Sequence, residues 1–498
     1  MTTVVPPRIC AAFEAGYTCL PALCFSRVLP TAVSDPQLIA VNRALAEELQ
    51  WDLAPHTDAT LAALFAGNVI PMGANPMALA YAGHQFGHFV PQLGDGRAIL
   101  MGVSLDRSGI HRDVQWKGTG PTPYSRNGDG RAALGPVLRE YLVSEAMHAL
   151  HIPTTRALAA VTTGESVRRD GLLPGAILTR VASSHVRVGS FQYLAAQRDP
   201  EALRALADYV IDRHYPATRT APQPYLALLQ AVSDRQAELV ARWMHVGFIH
   251  GVMNTDNMAV SGETLDFGPC AFMDSYDPDT VFSSIDRQGR YAYANQPHAA
   301  QWNLTRLAEC LLSLIDAVPE RAVEHATVVI EQFSERFAEY WLQGMRLKLG
   351  LMTALEGDLE FAQQFLTTLH RNHADYTVSF RQLAACALST NNDASLRAGF
   401  TNPTECDHLL VTWRSRLRLE TQSPDERARV MRSVNPAYIP RNHQIEAVIR
   451  AAVDRQDFEP FHTLSKVLAE PCVERAEYAA FALPPTPTER VTHTFCGT

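Results

Sequence analysis

The stretch His250-Gly-Val-Met-Asn-Thr-Asp-Asn257, followed closely by Leu265-Asp-Phe-Gly268, says more about the fold of this chain than any other part of it. Asn257 follows His250 by seven residues, and Asp266 opens the Asp-Phe-Gly motif. An amide oxygen and a carboxylate are hard ligands of the kind that Mg²⁺ takes together with nucleotide phosphates. The two motifs therefore predict a site for a metal ion and a nucleotide.

A short hairpin is predicted between the two motifs. Met258–Val260 and Thr264–Phe267 lie on either side of a Ser-Gly-Glu turn. Such a hairpin would bring Asn257 and Asp266 to one point. A chance Asp-Phe-Gly turn beside a loop asparagine is the alternative. The predicted helix Tyr225–Val246, which leads into the first motif, disfavours that alternative.

The spacing matches the catalytic loop of protein kinases, in which an asparagine follows the histidine by seven residues and the catalytic aspartate follows it by two. In this chain Val252 occupies the position of that aspartate. Asp256 is the only carboxylate of the loop, and we predict that it acts as the general base. A role for Asp256 as a turn residue that bonds local backbone stays open.

The order of predicted elements agrees with a kinase-like plan. Ala98–Leu105 and Asp113–Lys117 are strand-like and flank a turn, which predicts a hairpin. A helix is predicted over Ala132–Leu150, and further strands over Ala157–Thr163 and Ala176–Val181. From about residue 195 onwards the apolar spacing is helical.

We therefore predict an α+β, two-lobed protein-kinase-like fold with a strand-rich N-lobe and a large helical C-lobe. The N-lobe would span residues 1–190 and hold the nucleotide-binding strands, a Gly-rich loop and one long helix. The C-lobe would span residues 191–480 and hold the catalytic and metal-binding loops. Residues 481–498 are predicted to form a mobile C-terminal tail.

Lys117 ends its predicted strand, as the phosphate-binding lysine of kinases does. Its partner is expected on the following helix, where Glu140 and Glu145 are both available. A plain surface lysine at a strand end is the alternative interpretation.

A Gly-rich loop, Gly94-Asp-Gly-Arg97, precedes the strand Ala98–Leu105. Two glycines would let backbone approach phosphate, although the third glycine of the kinase loop is absent. Arg97 adds a fixed cation, and Arg180 and Arg187 could converge on the same anion. One such arginine is usually a solvated surface residue, whereas several near one cleft indicate a tightly held polyphosphate.

Composition excludes several classes of protein. The chain has 498 residues, of which 47% are hydrophobic and 19% charged, as in ordinary globular proteins. A net charge of −9 disfavours a general nucleic-acid binder. Nine scattered cysteines without a CxxC pair are typical of a reduced, cytoplasmic protein. We expect no signal peptide, no membrane span and no membrane partner.

The chain resembles the selenoprotein O (SelO, YdiU) family of protein adenylyltransferases over nearly its whole length. The matching stretches are 81–88, 92–97, 115–120, 122–126, 250–257, 265–269, 295–297, 301–303, 435–436 and 439–443. The resemblance implies a kinase-like fold that moves AMP from ATP onto hydroxyl side chains of protein substrates and releases pyrophosphate. Some bacterial members also transfer UMP from UTP.

The resemblance also implies roles for individual residues. The nucleotide contacts it implies are Gly94, Gly96, Arg97, Lys117, Asp129, Gly130, Arg180, Arg187 and Asp266. Mg²⁺ or Mn²⁺ would be held by Asn257 and Asp266, and Asp256 would be the catalytic base. Eukaryotic members carry selenocysteine near the C-terminus, where this chain has Cys496, so selenium chemistry is not implied.

Two other functions stay open on the residues alone. An ATP-dependent phosphotransferase is disfavoured by Val252 at the position of the kinase base. An inactive nucleotide-binding scaffold is disfavoured by the retained Asn257, Asp266 and Lys117.

A redox switch is a further hypothesis. Cys270 lies two residues after Gly268, and Cys496 is third from the end of the chain. A Cys270–Cys496 disulfide would pin the tail across the metal site, and its reduction would release the tail. The alternative is a buried Cys270 and an inert terminal thiol.

Overall fold

The computed structural model describes residues 13–14 and 16–495. The first part of the chain is built around an antiparallel sheet. Its strands and helices are β1 Phe25–Arg27, β2 Gln37–Val41, α1 Arg43–Glu48, α2 Asp58–Phe65, β3 Met77–Leu79, β4 Gly83–Gln85, β5 His88–Val90, β6 Ala98–Leu105, β7 His111–Lys117, β8 Ala132–Ala133, α3 Leu134–Ala149, β9 Arg156–Arg168 and β10 Leu172–Ala182. The sheet order is β1-β3-β6-β7-β10-β9-β2, with β8 paired to β10, and β4 and β5 form a separate hairpin.

The predicted hairpin is confirmed as β6 and β7, which pair from Ala98 opposite Lys117 to Leu105 opposite His111. Side chains alternate between the two faces of a strand. Val114 and Trp116 of β7 accordingly pack in the core on one face of the sheet. Lys117, one residue further on, therefore points to the opposite face.

The predicted long helix is confirmed as α3, with Pro136 in its first turn, where a missing N–H is tolerated. This helix lies between the sheet and the last helices of the chain. Arg139 forms an ion pair with Glu446, and the rings of Tyr141 and Phe461 pack edge to face at 5.3 Å. These contacts fix α3 against those last helices.

The rest of the chain is mainly helical. Its elements are α4 Val188–Gln197, α5 Pro200–His214, α6 Pro224–His245, β11 Phe248–Ile249, β12 Ala271–Phe272, α7 Gln296–Ile315, α8 Pro319–Leu349, α9 Asp358–Arg371, α10 Tyr376–Cys386, α11 Asp393–Ala398, α12 Pro403–Leu417, α13 Pro424–Val434, α14 Asn442–Arg455 and α15 Glu459–Leu468. The helix predicted over Tyr225–Val246 is α6. The predicted α+β, kinase-like class is confirmed, and the numerical lobe boundaries stay predictions.

The end of the described chain returns to the segment that follows the Asp-Phe-Gly motif. Thr494 is buried, and its backbone N–H donates to the carbonyl of Phe282 at 2.7 Å. Its hydroxyl donates to the carbonyl of Pro269, the residue before the buried Cys270. Cys496 lies outside the described residues, so the Cys270–Cys496 disulfide stays a prediction. Between residues 13 and 495, as far as they are described, no helix has the length and apolar character to cross a membrane.

The helical core contains a buried lysine, which gives a pH-dependent prediction. Burial lowers the pKa of Lys348 to about 7. Its Nζ donates to Asn435 Oδ1 at 2.7 Å and lies 4.0 Å from the ring centroid of Phe380. Because the folded-state pKa is depressed, the unfolded chain binds more protons between pH 7 and about 10.4, so Lys348 makes stability rise with pH there.

We expect the free energy of unfolding to rise from pH 7 to pH 10 by about 3 kcal/mol more in the wild type than in Lys348→Met. Urea unfolding at several pH values, followed by tryptophan fluorescence, measures both slopes. The comparison of slopes cancels any constant cost of leaving Asn435 without its donor. The exposed Lys466 provides the control variant Lys466→Met, which should keep the wild-type slope. Equal slopes in wild type and Lys348→Met would contradict the prediction.

Candidate active site

Asp266 is the centre of a cluster of charged side chains on the face of the sheet to which Lys117 points. Its Oδ1 accepts hydrogen bonds from Lys117 Nζ at 2.9 Å and from Arg180 Nη1 at 2.7 Å. Glu140 completes the cluster, with Oε2 at 2.7 Å from Lys117 Nζ and Oε1 at 3.3 Å from Arg180 Nη1. Three of the predicted site residues are thus brought together.

The strand register explains this convergence. Arg180 of β10 pairs with Gln115 of β7, and its Nε donates to Gln115 Oε1 at 2.7 Å. Gln115 and Lys117 lie two residues apart on one strand, so their side chains share a face. Asp266 reaches them with a left-handed backbone, at φ +64°, which a non-glycine residue adopts at a cost.

Opposing effects act on the pKa of Asp266. Burial by itself would raise the pKa, but the nearby charges of Lys117, Arg180 and Arg187 outweigh burial and hold the pKa of Asp266 well below its usual range. Asp266 is therefore ionised at any physiological pH, as a metal-binding carboxylate must be.

The structure shows which of the two candidate glutamates is the partner of Lys117. Glu140 of α3 binds Lys117, whereas Glu145 forms a two-point ion pair with Arg156 at 2.9 and 2.8 Å. Lys117 is buried, which excludes the interpretation of a plain surface lysine.

Arg187 precedes α4 and is only 1% exposed. Its guanidinium lies 4.1 Å from the ring centroid of Tyr81, and its Nη1 is 3.5 Å from Asp95 Oδ1. Its Nε and Nη2 are buried without a hydrogen-bond partner in the described part of the chain. A buried guanidinium with two unused donors is suited to an anion such as phosphate.

The Gly-rich loop packs against a second loop, which runs from Gly118 to Gly130. Gly94 has φ +77°, and a Cβ at this position would lie 2.3 Å from the ring of Tyr124. The hydroxyl of Thr122 donates to the carbonyl of Asp95 at 2.7 Å, and Ser125 donates to the carbonyl of Gly96. Glycine is therefore required where the two loops meet.

Arg97, Gly130 and Asp129 belong to the same two loops and have separate contacts. The carbonyl of Arg97 accepts a hydrogen bond from the N–H of Gly118, directly after Lys117. Gly130 packs against the backbone of Gly120. Asp129 is not part of the Asp266 cluster, because its carboxylate pairs with Arg169 at 2.8 and 3.2 Å.

His250 holds the catalytic loop to the segment that precedes Asp266. Its Nε2 is 2.9 Å from the carbonyl of Leu265, and its Nδ1 accepts from the N–H of Val252 at 3.3 Å. Burial lowers the pKa of His250, which agrees with a neutral ring that donates through one nitrogen and accepts through the other. His250 is a structural residue of this loop.

Asn257 lies at the start of the hairpin predicted from the sequence, whose pairing of Met258 with Thr264 the structure confirms. Its Nδ2 donates to the carbonyl of Val252 at 3.1 Å. That bond uses the amide nitrogen and leaves the amide oxygen, the atom that a hard cation requires.

The residues present fit a divalent cation bound together with phosphate. Asp266 supplies an ionised carboxylate, and Asn257 supplies an amide oxygen. No group of three or more His, Cys, Asp and Glu suited to a metal occurs among the described residues. A site of this kind therefore relies on nucleotide oxygens for its remaining ligands, as is usual for Mg²⁺.

Asp256 is a second buried carboxylate, and its setting differs from that of Asp266. Burial raises the pKa of Asp256 to about 6, against the opposing effect of Arg187 and hydrogen bonds. Its Oδ2 accepts one long hydrogen bond, 3.4 Å from Gln85 Nε2, and its Oδ1 has no partner among the described residues. A carboxylate with a free oxygen and a pKa near neutrality is suited to accept a proton.

The hairpin of β4 and β5 holds this part of the catalytic loop. The N–H of His84 donates to Thr255 Oγ1 at 2.6 Å, and the N–H of Phe86 donates to Asn254 Oδ1 at 2.9 Å. A Cβ at Gly83 would lie 2.4 Å from Asp256 Oδ1, so only glycine fits there. The hairpin thus fixes the position of Asp256.

Sequence reasoning missed several residues of the site: Tyr81, Gln85, Asp95 and Gln115. The two-residue spacing from Lys117 could have identified Gln115, because both belong to one strand face. The other three act across the fold, at separations of 92 residues for Asp95 and Arg187 and 171 for Gln85 and Asp256, and no local pattern signals them.

Fold and site together define a kinase-like protein with a buried cluster of charged side chains around Asp266 and a second buried carboxylate, Asp256. The model of the family described as protein adenylyltransferase SelO matches residues 7–469. Relatives named protein nucleotidyltransferase YdiU occur in Rhizobium johnstonii (58% identical, covering 99% of this chain and 98% of the relative), Rhizobium rhizogenes (58%, 98% and 97%) and Agrobacterium fabrum (58%, 98% and 99%).

The chain belongs to the protein adenylyltransferase SelO family. It is therefore a nucleotidyltransferase that uses a nucleoside triphosphate as co-substrate and protein as acceptor.

Proposed function

We propose that this chain transfers AMP from ATP to Ser, Thr or Tyr hydroxyls of proteins and releases pyrophosphate, with Asp256 as the general base. The observation that carries the proposal is the state of Asp256, which is buried beside Arg187 and has one carboxylate oxygen without a hydrogen bond from any described residue. Val252 occupies the position of the kinase base, and a valine side chain cannot accept a proton. The carboxylate of Asp256 is free to do so.

The proposed nucleotide-binding residues fall into two groups. Lys117, Arg180 and Arg187 supply positive charge, which would stabilise the charge that develops on departing pyrophosphate. Gly94, Gly96, Arg97, Asp129 and Gly130 lie on the two interlocked loops. The orphan donors of Arg187 support a phosphate contact most directly, because a buried guanidinium rarely leaves two donors unused.

Asn257 and Asp266 would hold Mg²⁺ or Mn²⁺. The ion supplies charge neutralisation to the phosphates and aligns the displacement when it is bound. Lys117 and Arg180 hold the carboxylate of Asp266 in place, and Glu140 in turn orients both cations.

A cytoplasmic location is part of the proposal. The described cysteines apart from Cys270 are free thiols: Cys19, Cys24, Cys310, Cys386, Cys406 and Cys472. Free thiols in this number are typical of a reducing compartment.

Label transfer distinguishes the proposed reaction from its rivals. With ATP labelled at the α-phosphate, the protein acceptor should become labelled, and with ATP labelled at the γ-phosphate it should not. Labelling from the γ-phosphate would instead identify a kinase. Label from neither position above the level of Asp256→Ala would identify a nucleotide-binding scaffold without transferase activity.

A further inference from the structure

A surface of aromatic and cationic side chains lies beside the catalytic loop and is not used by the proposed chemistry. We call it the acceptor surface, and it consists of Phe89, Arg290, Trp302 and Arg306. The guanidinium of Arg290 lies 4.7 Å from the ring centroid of Trp302, and that of Arg306 lies 5.0 Å from the same centroid. Two arginines thus contact the ring of Trp302.

The acceptor surface is joined to the hairpin that positions Asp256. The ring of His84 packs edge to face on Trp302 at 5.2 Å and lies 4.9 Å from the ring of Phe89. A Cβ at Gly87, in the turn of this hairpin, would lie 3.6 Å from Arg290 Nη1. One short hairpin therefore contacts both the proposed base and the acceptor surface.

The segment that carries Arg290 is also tied to the catalytic loop. The buried carboxylate of Asp286 accepts the N–H groups of Arg290 at 3.0 Å and Tyr291 at 2.8 Å. The hydroxyl of Tyr291 donates to Asn254 Oδ1 at 2.8 Å, two residues before Asp256. Arg290 is therefore presented from a fixed backbone rather than from a loose loop.

The charge of Arg290 is not neutralised within the described chain. Arg306 forms an ion pair with Glu309 at 2.7 Å. Arg290, in contrast, takes part in none of the ion pairs between described residues. The Nε of Arg290 is buried without a hydrogen-bond partner in the same part of the structure. A guanidinium that is stacked on an aromatic ring and lacks a counter-ion is preorganised to bind a carboxylate.

We propose that the acceptor surface binds the segment of the protein substrate that flanks the modified hydroxyl, and that Arg290 selects an acidic side chain in that segment. Phe89, whose side chain is exposed, offers apolar contact at the same edge. The choice of an acidic segment follows from charge complementarity, because Arg290 has no ion-pair partner among the described residues and its Nε is buried there without a hydrogen bond. This inference rests on the proposed transfer to protein hydroxyls.

The test uses the full-length protein and synthetic peptides with one central Ser, Thr or Tyr, flanked on both sides by Glu, by Lys or by Ala. Transfer from α-labelled ATP is measured as kcat/KM for each peptide. Binding of the same peptides, labelled with a fluorophore, is measured separately by anisotropy. The wild type should prefer Glu-flanked over Lys-flanked peptides by at least about tenfold in both measurements.

Arg290→Ala should bring this ratio close to one, and Arg290→Glu should invert it. The control is Arg287→Ala, which removes an exposed arginine from the same segment and should keep the wild-type preference. A preference that survives Arg290→Ala would overturn the proposal. An equal loss for all three peptides, or a rise in the KM for ATP alone, would also overturn it by showing a structural or a nucleotide-binding role.

The two measurements separate this inference from the function on which it rests. If transfer occurs without a preference that depends on Arg290, the proposed role of the acceptor surface is refuted and the transferase function is retained. If peptide binding depends on Arg290 but no transfer occurs, the role of the acceptor surface in binding is supported and the proposed reaction is contradicted. If the wild type shows no transfer and no selective binding, both the acceptor surface and the proposed reaction are refuted.

Discussion

Asp266→Ala is expected to lower the rate of AMP transfer by at least about 10²-fold. The carboxylate accepts hydrogen bonds from both Lys117 and Arg180, so its removal leaves two buried cations with Glu140 as their only described carboxylate partner. The same change removes the proposed metal ligand. The measurement is kcat with α-labelled ATP, taken with Mg²⁺ and with Mn²⁺.

The variant Asp266→Asn separates charge from shape. Asparagine tolerates the left-handed backbone at φ +64° and keeps the side-chain volume, but it carries no charge. We expect it to lose activity nearly as fully as the alanine variant while keeping a native circular dichroism spectrum. Near-normal transfer by either variant, with either metal, would remove Asp266 from the proposed site.

Local sequence was sufficient to predict the parts of the fold whose signals lie within a few turns of chain. The hairpin β6–β7, the helices α3 and α6 and the hairpin after Asn257 each have a strand or helix period bounded by turn residues. The lysine at the end of β7 could be placed because a strand end and a following helix fix its surroundings.

The contacts across the fold could not be predicted in the same way. Whether Glu140 or Glu145 binds Lys117 depends on the rotation of α3 against the sheet, which the packing of α14 and α15 sets. Asp129 belongs to the proposed nucleotide set, yet its carboxylate pairs with Arg169, which lies in the turn between β9 and β10. These ion-pair partners are determined by tertiary packing, and the periodicity of the sequence does not predict them.

The contact between the hairpin β4–β5 and the loop of the proposed base, Asp256, could not be predicted from local sequence either. Its sequence, Gly83 to Val90, gives no sign that it reaches a loop more than 160 residues away. Its effect on the proposed chemistry is nevertheless direct, because Gly83 and Gln85 pack against the carboxylate of Asp256, whose Oδ1 has no hydrogen-bond partner among the described residues. The properties that make Asp256 a candidate base are therefore created by the tertiary structure.

Asp256→Ala is expected to leave ATP binding nearly intact while transfer falls by roughly 10²–10⁴-fold. The reason is that the carboxylate of Asp256 accepts one long hydrogen bond from the described side chains, that of Gln85, so its removal breaks little of the structure that holds the proposed nucleotide site. Binding is measured by titration with ATP and metal, and transfer with α-labelled ATP. The exposed Asp279 provides the matched control, Asp279→Ala, which removes a carboxylate from the segment after the Asp-Phe-Gly motif and should retain both properties. A loss of binding as large as the loss of transfer would show that Asp256 is structural, because a proton acceptor acts in the chemical step and contributes little to holding the nucleotide.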